Sequence, residues 1–262
     1  MNIIIDDEII FETLGQTGLK IKYKEFLFLV DPYLSNSVEE LDAKDLKRKI
    51  PIPYSLDEFK YLNWVFLTHD HIDHCDPHTI PKLAKKSNSV FFMGPYPVRK
   101  KLIEWGINRE RIFSAVSTET YITEELTIRA IPAAHPSIVK AKDSQPSCVG
   151  WLIRYKEKNI YVAGDTSICK EIIEILKKLY SIELAFLPVN EDNYFRRERG
   201  IIGNMTVREA FYLSELTNIK NLVPVHWDMF LANSVLPEEM EAIYKGYNWS
   251  FNLILKQEVF YL

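Results

Sequence analysis

At 262 residues the chain is long for one domain and short for two, and its 47% hydrophobic residues suffice for one sizeable core, read here as a single domain over residues 1–262. A charged fraction of 26% excludes a disordered or membrane-embedded chain, and a formal net charge of −4 argues against a general nucleic-acid binder, which would carry a basic face. The longest apolar runs, such as Phe26 to Val30 and Trp64 to Leu67, are strand-sized and too short to span a bilayer.

The opening residues, Met1-Asn2-Ile3-Ile4-Ile5-Asp6-Asp7-Glu8, have no basic start and carry acids where the apolar part of a leader would lie, so they do not read as a secretory signal. Short runs rich in β-branched and aromatic residues follow at Ile9 to Leu14, Leu19 to Tyr23 and Phe26 to Asp31, with turns at Gly15 to Gly18 and Lys24-Glu25. Ser35 to Tyr61 is charged and contains proline; it reads as a long excursion with little strand character, a candidate lid. Asn63 to Leu67 is a buried-strand pattern that leads straight into Thr68-His69. Pro81 to Lys86 reads as helix, Ser89 to Met93 as strand, and Val98 to Trp105 as helix stopped by Gly106.

Leu126 to Ile131 alternates and precedes His135. Val149 to Tyr155 and Asn159 to Ala163 form a hairpin around Lys156-Glu157-Lys158, and the second strand ends in Gly164-Asp165-Thr166. Ile168 to Leu179 is an amphipathic helix and Leu184 to Val189 a strand. Thr206-Val207-Arg208-Glu209 opens a helix with a capping box, in which hydroxyl and carboxylate satisfy each other's backbone donors. Leu222 to Val225 is a strand ending at His226, Pro237 to Tyr244 a helix, and Trp249 to Leu255 with Val259 to Leu262 close the chain as strands. Strands first, then strand–helix alternation, indicate a layered α/β or α+β sandwich.

Four metal-type donors fall within six residues in His69-Asp70-His71-Ile72-Asp73-His74. Metal sites need neutral nitrogens and carboxylate oxygens converging on one point. If the segment stays extended, positions 69, 71 and 73 leave one face, and His74 must point elsewhere, toward a second ion. The chain has only six histidines. His135 and His226 each follow a strand, as does Asp165, and polar donors that end apolar strands tend to meet at one sheet edge. His78 reads as a neighbour of the site or a solvent-facing residue. Cys75 reads as a small buried residue, and Cys148 and Cys169 as core. Three cysteines without a Cys-x-x-Cys pair suit a reducing, cytoplasmic setting better than a disulfide framework.

This order of residues, His-x-His-x-Asp-His followed by a lone His, an Asp after a strand and a final His, resembles the metallo-β-lactamase superfamily from Gly15 to about Asp228. The resemblance implies a four-layer αββα sandwich with mixed sheets and a two-metal site at its edge. It implies His69, His71 and His135 on one ion, Asp73, His74 and His226 on the other, and Asp165 bridging them. Shorter pieces, namely Thr68 to Asp76, Gly94-Pro95 with Trp105-Gly106, Gly164-Asp165-Thr166, Asn204-Met205-Thr206 and His226-Trp227-Asp228, resemble the L-ascorbate-6-phosphate lactonase branch. The chain departs from that branch in carrying His135.

The chemistry implied is hydrolysis of a lactone or ester of a small, phosphorylated, sugar-like substrate by a metal-bound hydroxide. Zinc is the first choice of metal, with manganese or iron suiting the same donors. Asp73 and Asp165 are the expected catalytic carboxylates, Asp73 orienting the hydroxide or protonating the leaving oxygen. One of Arg196, Arg197 and Arg199, on a Gly-containing loop, is expected to hold the anionic end; Arg197 is the choice, with Asn204 and Thr206 at a helix N-terminus. The rival readings are a solvated arginine face and a plain helix cap. A phosphodiesterase or phospholipase-like hydrolase of the same fold is the alternative function. A non-catalytic binding protein is opposed by the presence of all seven ligand positions. The expected partner is an anionic small molecule rather than nucleic acid or membrane, with a homo-oligomer left open.

Overall fold

Two seven-stranded sheets face each other in a computed structural model that describes residues 9–255 and 259–262. The expectation for residues 1–8 lies outside the described residues. The first sheet takes β1 (Ile9–Gly15), β2 (Gly18–Tyr23), β3 (Phe26–Val30), β4 (Trp64–Phe66), β5 (Phe91–Gly94) and β6 (Ile112–Ser114). The second takes β7 (Thr120–Tyr121), β8 (Leu126–Pro132), β9 (Val149–Tyr155), β10 (Lys158–Val162), β11 (Leu184–Pro188), β12 (Asn221–Val225) and β13 (Asn252–Leu253). The last strand, β14 (Val259–Tyr261), returns to the first sheet beside β1.

Both sheets are mixed in the same way. In the first, β14-β1-β2-β3 are antiparallel and β3-β4-β5-β6 parallel. In the second, β7-β8-β9-β10 are antiparallel and β10-β11-β12-β13 parallel. The apolar runs of β11 and of β12 after Asn221 are buried on both faces, as strands inside a parallel layer must be.

Three cores separate four layers. Phe11, Ile21, Phe28 and Phe66 of the first sheet meet Ile128, Trp151, Phe186 and Val223 of the second. The Phe66 and Trp151 rings pack with centroids 5.4 Å apart. Helices α1 (Ser37–Leu41), α2 (Ile80–Lys86) and α3 (Tyr96–Glu104) belong to the first half of the chain. Leu83 of α2 and Val98 and Leu102 of α3 cover Val65 and Phe92 on the outside of the first sheet. Outside the second sheet, α4 (Lys170–Lys177), α6 (Val207–Leu216) and α7 (Pro237–Lys245) contribute Ile172, Leu176, Phe211 and Met240 against Leu152, Ala185 and Leu222. The short α5 (Tyr194–Glu198) precedes α6. This is the αββα sandwich with mixed sheets that the resemblance implies. Among the described residues, no helix is long and apolar enough to cross a membrane.

Local expectations depart from this in a few places. The Ser35 to Tyr61 excursion carries α1 and a turn of 3₁₀ helix at Leu56–Phe59, closed by a Ser55/Glu58 capping box. The arginine run is not a loop: Arg196 and Arg197 lie in α5, because Asn193 caps the Arg196 N–H and starts a helical turn there. The Thr206/Glu209 capping box is present. Of the strand expected over Trp249 to Leu255, only Asn252–Leu253 pairs.

Candidate metal centre

The donors come from the ends of strands that run toward one edge. His69 follows β4, His135 follows β8, Asp165 follows β10 and His226 follows β12. The segment from His69 does not stay extended. His71 O accepts from both His74 N (3.1 Å) and Cys75 N (2.8 Å), so the chain turns at residues 72–74. That turn breaks the expected alternation at Asp73 and carries its carboxylate to the side of His74.

The donors gather in two groups, each with ligand atoms within 4.8 Å of one another: His69, His71, His135 and Asp165, and Asp73, His74 and His226. Asp165 faces both. Its Oδ2 lies 3.6 Å from His135 Nε2 and 4.0 Å from His69 Nε2, and its Oδ1 lies 3.4 Å from the Nε2 atoms of both His74 and His226. Asp73 Oδ2 lies 3.4 Å from His226 Nε2 and 3.7 Å from His74 Nε2.

The fit to cations can be judged from unmet bonding capacity. Ring centroids of His69 and His74 are 4.1 Å apart, those of His69 and His71 4.5 Å. His69 Nε2, His74 Nε2 and Asp165 Oδ1 are buried without a hydrogen-bond partner. Each such atom costs about 1–3 kcal/mol when left unmet. Imidazole nitrogens and carboxylate oxygens that converge in this way suit divalent ions, which satisfy them together.

The electrostatics agree. Burial opposes charge on His74, but Asp165, Asp73 and Asp31 outweigh it and hold the imidazole well above its ordinary range. Burial likewise opposes charge on His226, yet Asp165 and Asp73 push it up to about 9. His69 is held well below its ordinary range by burial and the neighbouring His74. His135 falls to about 4 because burial outweighs the pull of Asp165. Burial would raise Asp165 and Asp73, but His226 and His74 keep both carboxylates below the usual range. Protons on His74 and His226 thus stand where cations would bind.

Residues not foreseen from the sequence hold this arrangement. Asp31, fully buried at the end of β3, accepts at Oδ2 from His74 Nδ1 (2.8 Å), Thr17 Oγ1 (3.2 Å) and the Thr68 hydroxyl, and at Oδ1 from Thr68 N (2.8 Å). Gln16 Nε2 donates to Asp73 Oδ2 (2.7 Å), and Gln16 O accepts from His226 N (3.1 Å). Asp31 and His226 both adopt positive φ, +40° and +65°, a conformation that costs non-glycine residues energy and gathers at functional sites. Asp31 carried a readable signal, an acid ending an apolar strand just as Asp165 does. Gln16, in a turn between two glycines, carried none.

A cavity of about 590 Å³ opens onto the donors. Val38, Leu41 and Leu46 of the long excursion, with Ile72, Ile201, Ile202 and Phe230, give it an apolar wall; Lys101 and Arg199 are its cations. Arg197 and Thr206 are not among the lining residues. Arg197 pairs with Asp192, and the Thr206 hydroxyl accepts from Glu209 N at the start of α6. Arg196 is buried, its guanidinium donating to the carbonyls of Glu191, Ala232 and Ser234. Asn204 is buried behind the cavity against Asn190. His78 pairs with Glu40, away from the donors. Cys75 packs in the outer core of the first sheet, where burial pushes its thiol up; all three cysteines are free.

Comparisons with known proteins agree with this geometry. The model of the Beta-lactamase superfamily domain matches residues 27–227. A UPF0173 metal-dependent hydrolase of Caldivirga maquilingensis is 27% identical over 234 residues, covering 88% of this chain and 87% of that protein. An N-acyl-phosphatidylethanolamine-hydrolyzing phospholipase D 1 of Caenorhabditis elegans is 23% identical, over 83% of this chain and 63% of that protein. The solved structure of Igni18, a metallo hydrolase from Ignicoccus hospitalis, superposes with a TM-score of 0.71 at 18% identity, over 97% of this chain and 99% of that one.

Proposed function

The chain belongs to the β-lactamase superfamily, and on that premise we propose that it is a metal-dependent hydrolase of a lactone or other ester, working with two divalent ions. The observation that carries the reading is the Asp165 carboxylate, whose two oxygens face different groups of histidines. One ion would lie among His69, His71, His135 and Asp165, the other among Asp73, His74, His226 and Asp165. Zinc suits these donors, as do manganese and iron. Bound there, the ions would acidify a shared water and polarise the scissile oxygen.

The remaining work falls to the chain's own side chains. Asp73, oriented by the Gln16 amide, is the carboxylate beside the donors that can take a proton from the attacking water or pass one to the leaving oxygen. The buried His74 ring is oriented from behind by Asp31, and the His226 backbone is anchored by the Gln16 carbonyl. The cavity has the size of a small-molecule site. Lys101, paired with Asp70, and Arg199, paired with Asp45, lie in its wall and support an anionic, phosphorylated sugar-like substrate, with Arg199 in the role first expected of Arg197 because it lines the cavity and Arg197 does not.

A second reading, a phospholipase-like hydrolase, is favoured by the apolar wall of Val38, Leu41, Leu46, Ile201 and Ile202 and by the similarity to the worm phospholipase D. The test is metal analysis of the purified protein with turnover on lactones, phosphorylated lactones, bis(4-nitrophenyl) phosphate and a phospholipid. Two ions per chain with lactone hydrolysis is the expected result. Turnover confined to the phospholipid favours the second reading. Less than one ion per chain and no turnover after reconstitution with zinc or manganese overturns both.

A further inference from the structure

We infer that Asn190 contacts the substrate, its Nδ2 donating a hydrogen bond to the carbonyl or phosphoryl oxygen that gains negative charge during hydrolysis; this rests on the hydrolase reading above. The position comes from topology. β11 lies between β10 and β12, parallel to both, with Val162 paired to Phe186 and Phe186 to Val223. Asp165, Asn190 and His226 therefore leave three adjacent strands at the same edge. The crevice beyond the carboxyl ends of parallel strands is where open α/β sheets bind ligands. Asn190 lines the cavity together with Asp165 and His226.

The side chain is held with a donor to spare. Asn190 is only 1% exposed, and its Oδ1 accepts from Asn204 Nδ2 at 2.7 Å. That bond fixes the plane of the amide and leaves Asn190 Nδ2 and Asn204 Oδ1, both buried and without a hydrogen-bond partner. A buried amide hydrogen without an acceptor is costly in a resting protein and useful where an oxygen becomes charged. The clamp that holds it is itself built in. Asn204 N donates to Asn190 O at 3.3 Å and Asp192 N donates to Asn204 O at 3.1 Å, pairing the two segments backbone to backbone. They approach this closely because residue 203 is glycine: a Cβ there would lie 2.3 Å from Asp192 Cα. Asn204 is thus a positioning residue, reaching the substrate only through Asn190.

The experiment compares zinc-loaded wild type with Asn190→Ala, Asn190→Asp and Asn204→Ala. Zinc content and melting temperature are measured first, then inorganic phosphate binding by calorimetry, then kcat and KM on the ester that the wild type turns over. Asn190→Asp keeps the size of the side chain but adds a negative charge, so the uncharged Asn190→Ala reads the loss of the donor, and its melting temperature reads the loss of packing. The expected result is unchanged zinc content, phosphate binding weakened about tenfold or more in both Asn190 variants, and kcat lowered about 100-fold, the scale of one lost oxyanion donor. Asn204→Ala should move the same readouts by less. Wild-type phosphate binding or kcat within threefold in Asn190→Ala refutes the inference and leaves the hydrolase reading intact. Failure of the zinc-loaded wild type to bind phosphate also counts against it. A wild type that holds no metal and hydrolyses nothing refutes the hydrolase reading, and the role of Asn190 falls with it.

Discussion

Replacing Asp31 by Asn tests how the centre is held. The substitution conserves shape at a position that is fully buried. Three groups bond Asp31 Oδ2, namely His74 Nδ1, Thr17 Oγ1 and the Thr68 hydroxyl, while Thr68 N bonds Oδ1. An asparagine must put its NH₂ at one of these two places. Kept on Thr68 N, the amide oxygen leaves NH₂ facing His74 Nδ1, where donor meets donor. His74 then carries its proton on Nε2, the nitrogen that faces Asp73 and Asp165 and would ligate an ion. Flipped, the amide restores the His74 contact but sets NH₂ against Thr68 N–H. The first outcome disturbs the ligand itself, the second only its support. Losing such a supporting carboxylate costs about 10–100-fold in metal affinity, or roughly 1.4–2.7 kcal/mol. Zinc competition against a chromophoric chelator reads this directly, with circular dichroism and zinc-free melting as controls for folding. Zinc affinity within threefold of wild type in a folded Asp31→Asn protein would refute the reasoning.

Three further outcomes follow from the same geometry. Arg196→Ala should destabilise the fold by about 3 kcal/mol, because a buried guanidinium that donates to three backbone carbonyls is lost. Urea unfolding measures this, and a wild-type midpoint would show that the clamp contributes nothing. Zinc binding should release protons, since His226, raised to about 9, and His74, also raised, hold protons that a ligand nitrogen must give up. Below pH 9 the affinity should therefore rise about tenfold per pH unit for each proton displaced, then level off as His226 deprotonates by itself. Calorimetry in buffers of different ionisation enthalpy counts these protons, and zero release at pH 7.5 contradicts the scheme. Arg199→Ala should raise KM for a phosphorylated substrate about tenfold. Arg197→Ala should leave it within about twofold, since both arginines pair with exposed carboxylates, Arg197 with Asp192 and Arg199 with Asp45, but only Arg199 lines the cavity. The reverse order would return the anion-holding role to Arg197.

The parts of this molecule that could be read from sequence are those whose cause is local or periodic. Four donors in six residues need no tertiary information to suggest a metal. Asp165 and His226 announce themselves as polar residues ending apolar strands, because parallel strands of one sheet deliver their ends to one edge. Asp31 obeys the same rule. It differs in ending a strand of the other sheet, so its relation to His74 depends on how the two sheets pack. The arginine run was ambiguous for a different reason. Arg196, Arg197 and Arg199 differ only in their phase on a single helical turn, and α5 is set by its contact with the 231–234 segment. One guanidinium therefore faces inward, one pairs with Asp192, and one pairs with Asp45 and borders the cavity. The alternation reading of residues 69, 71 and 73 failed because a turn at 72–74 replaced the extended chain. The Asn190–Asn204 pair was illegible, since it depends on Gly203 allowing two backbones to touch.

This division has a consequence for how the protein can vary. Four of the candidate ligands, His69, His135, Asp165 and His226, follow strands packed between the cores, and His71, Asp73 and His74 lie on the turn that follows His69. The cavity wall facing them is drawn largely from connecting segments: α1 and the residues after it, the 199–202 stretch and Phe230. Such segments tolerate change far better than buried strands do. Substitutions at Leu41, Leu46, Ile201 or Ile202 should therefore redirect which ester is bound without altering metal content. Substitutions at Gln16, Thr17, Asp31 or Thr68 should alter metal content without a matching change in preference among substrates. Asn190 belongs to neither set. It follows a core strand as Asp165 and His226 do, and it lines the cavity with an amide nitrogen that has no partner in the protein, so its loss should lower kcat across every ester the site accepts while zinc content and substrate ranking stay as they were.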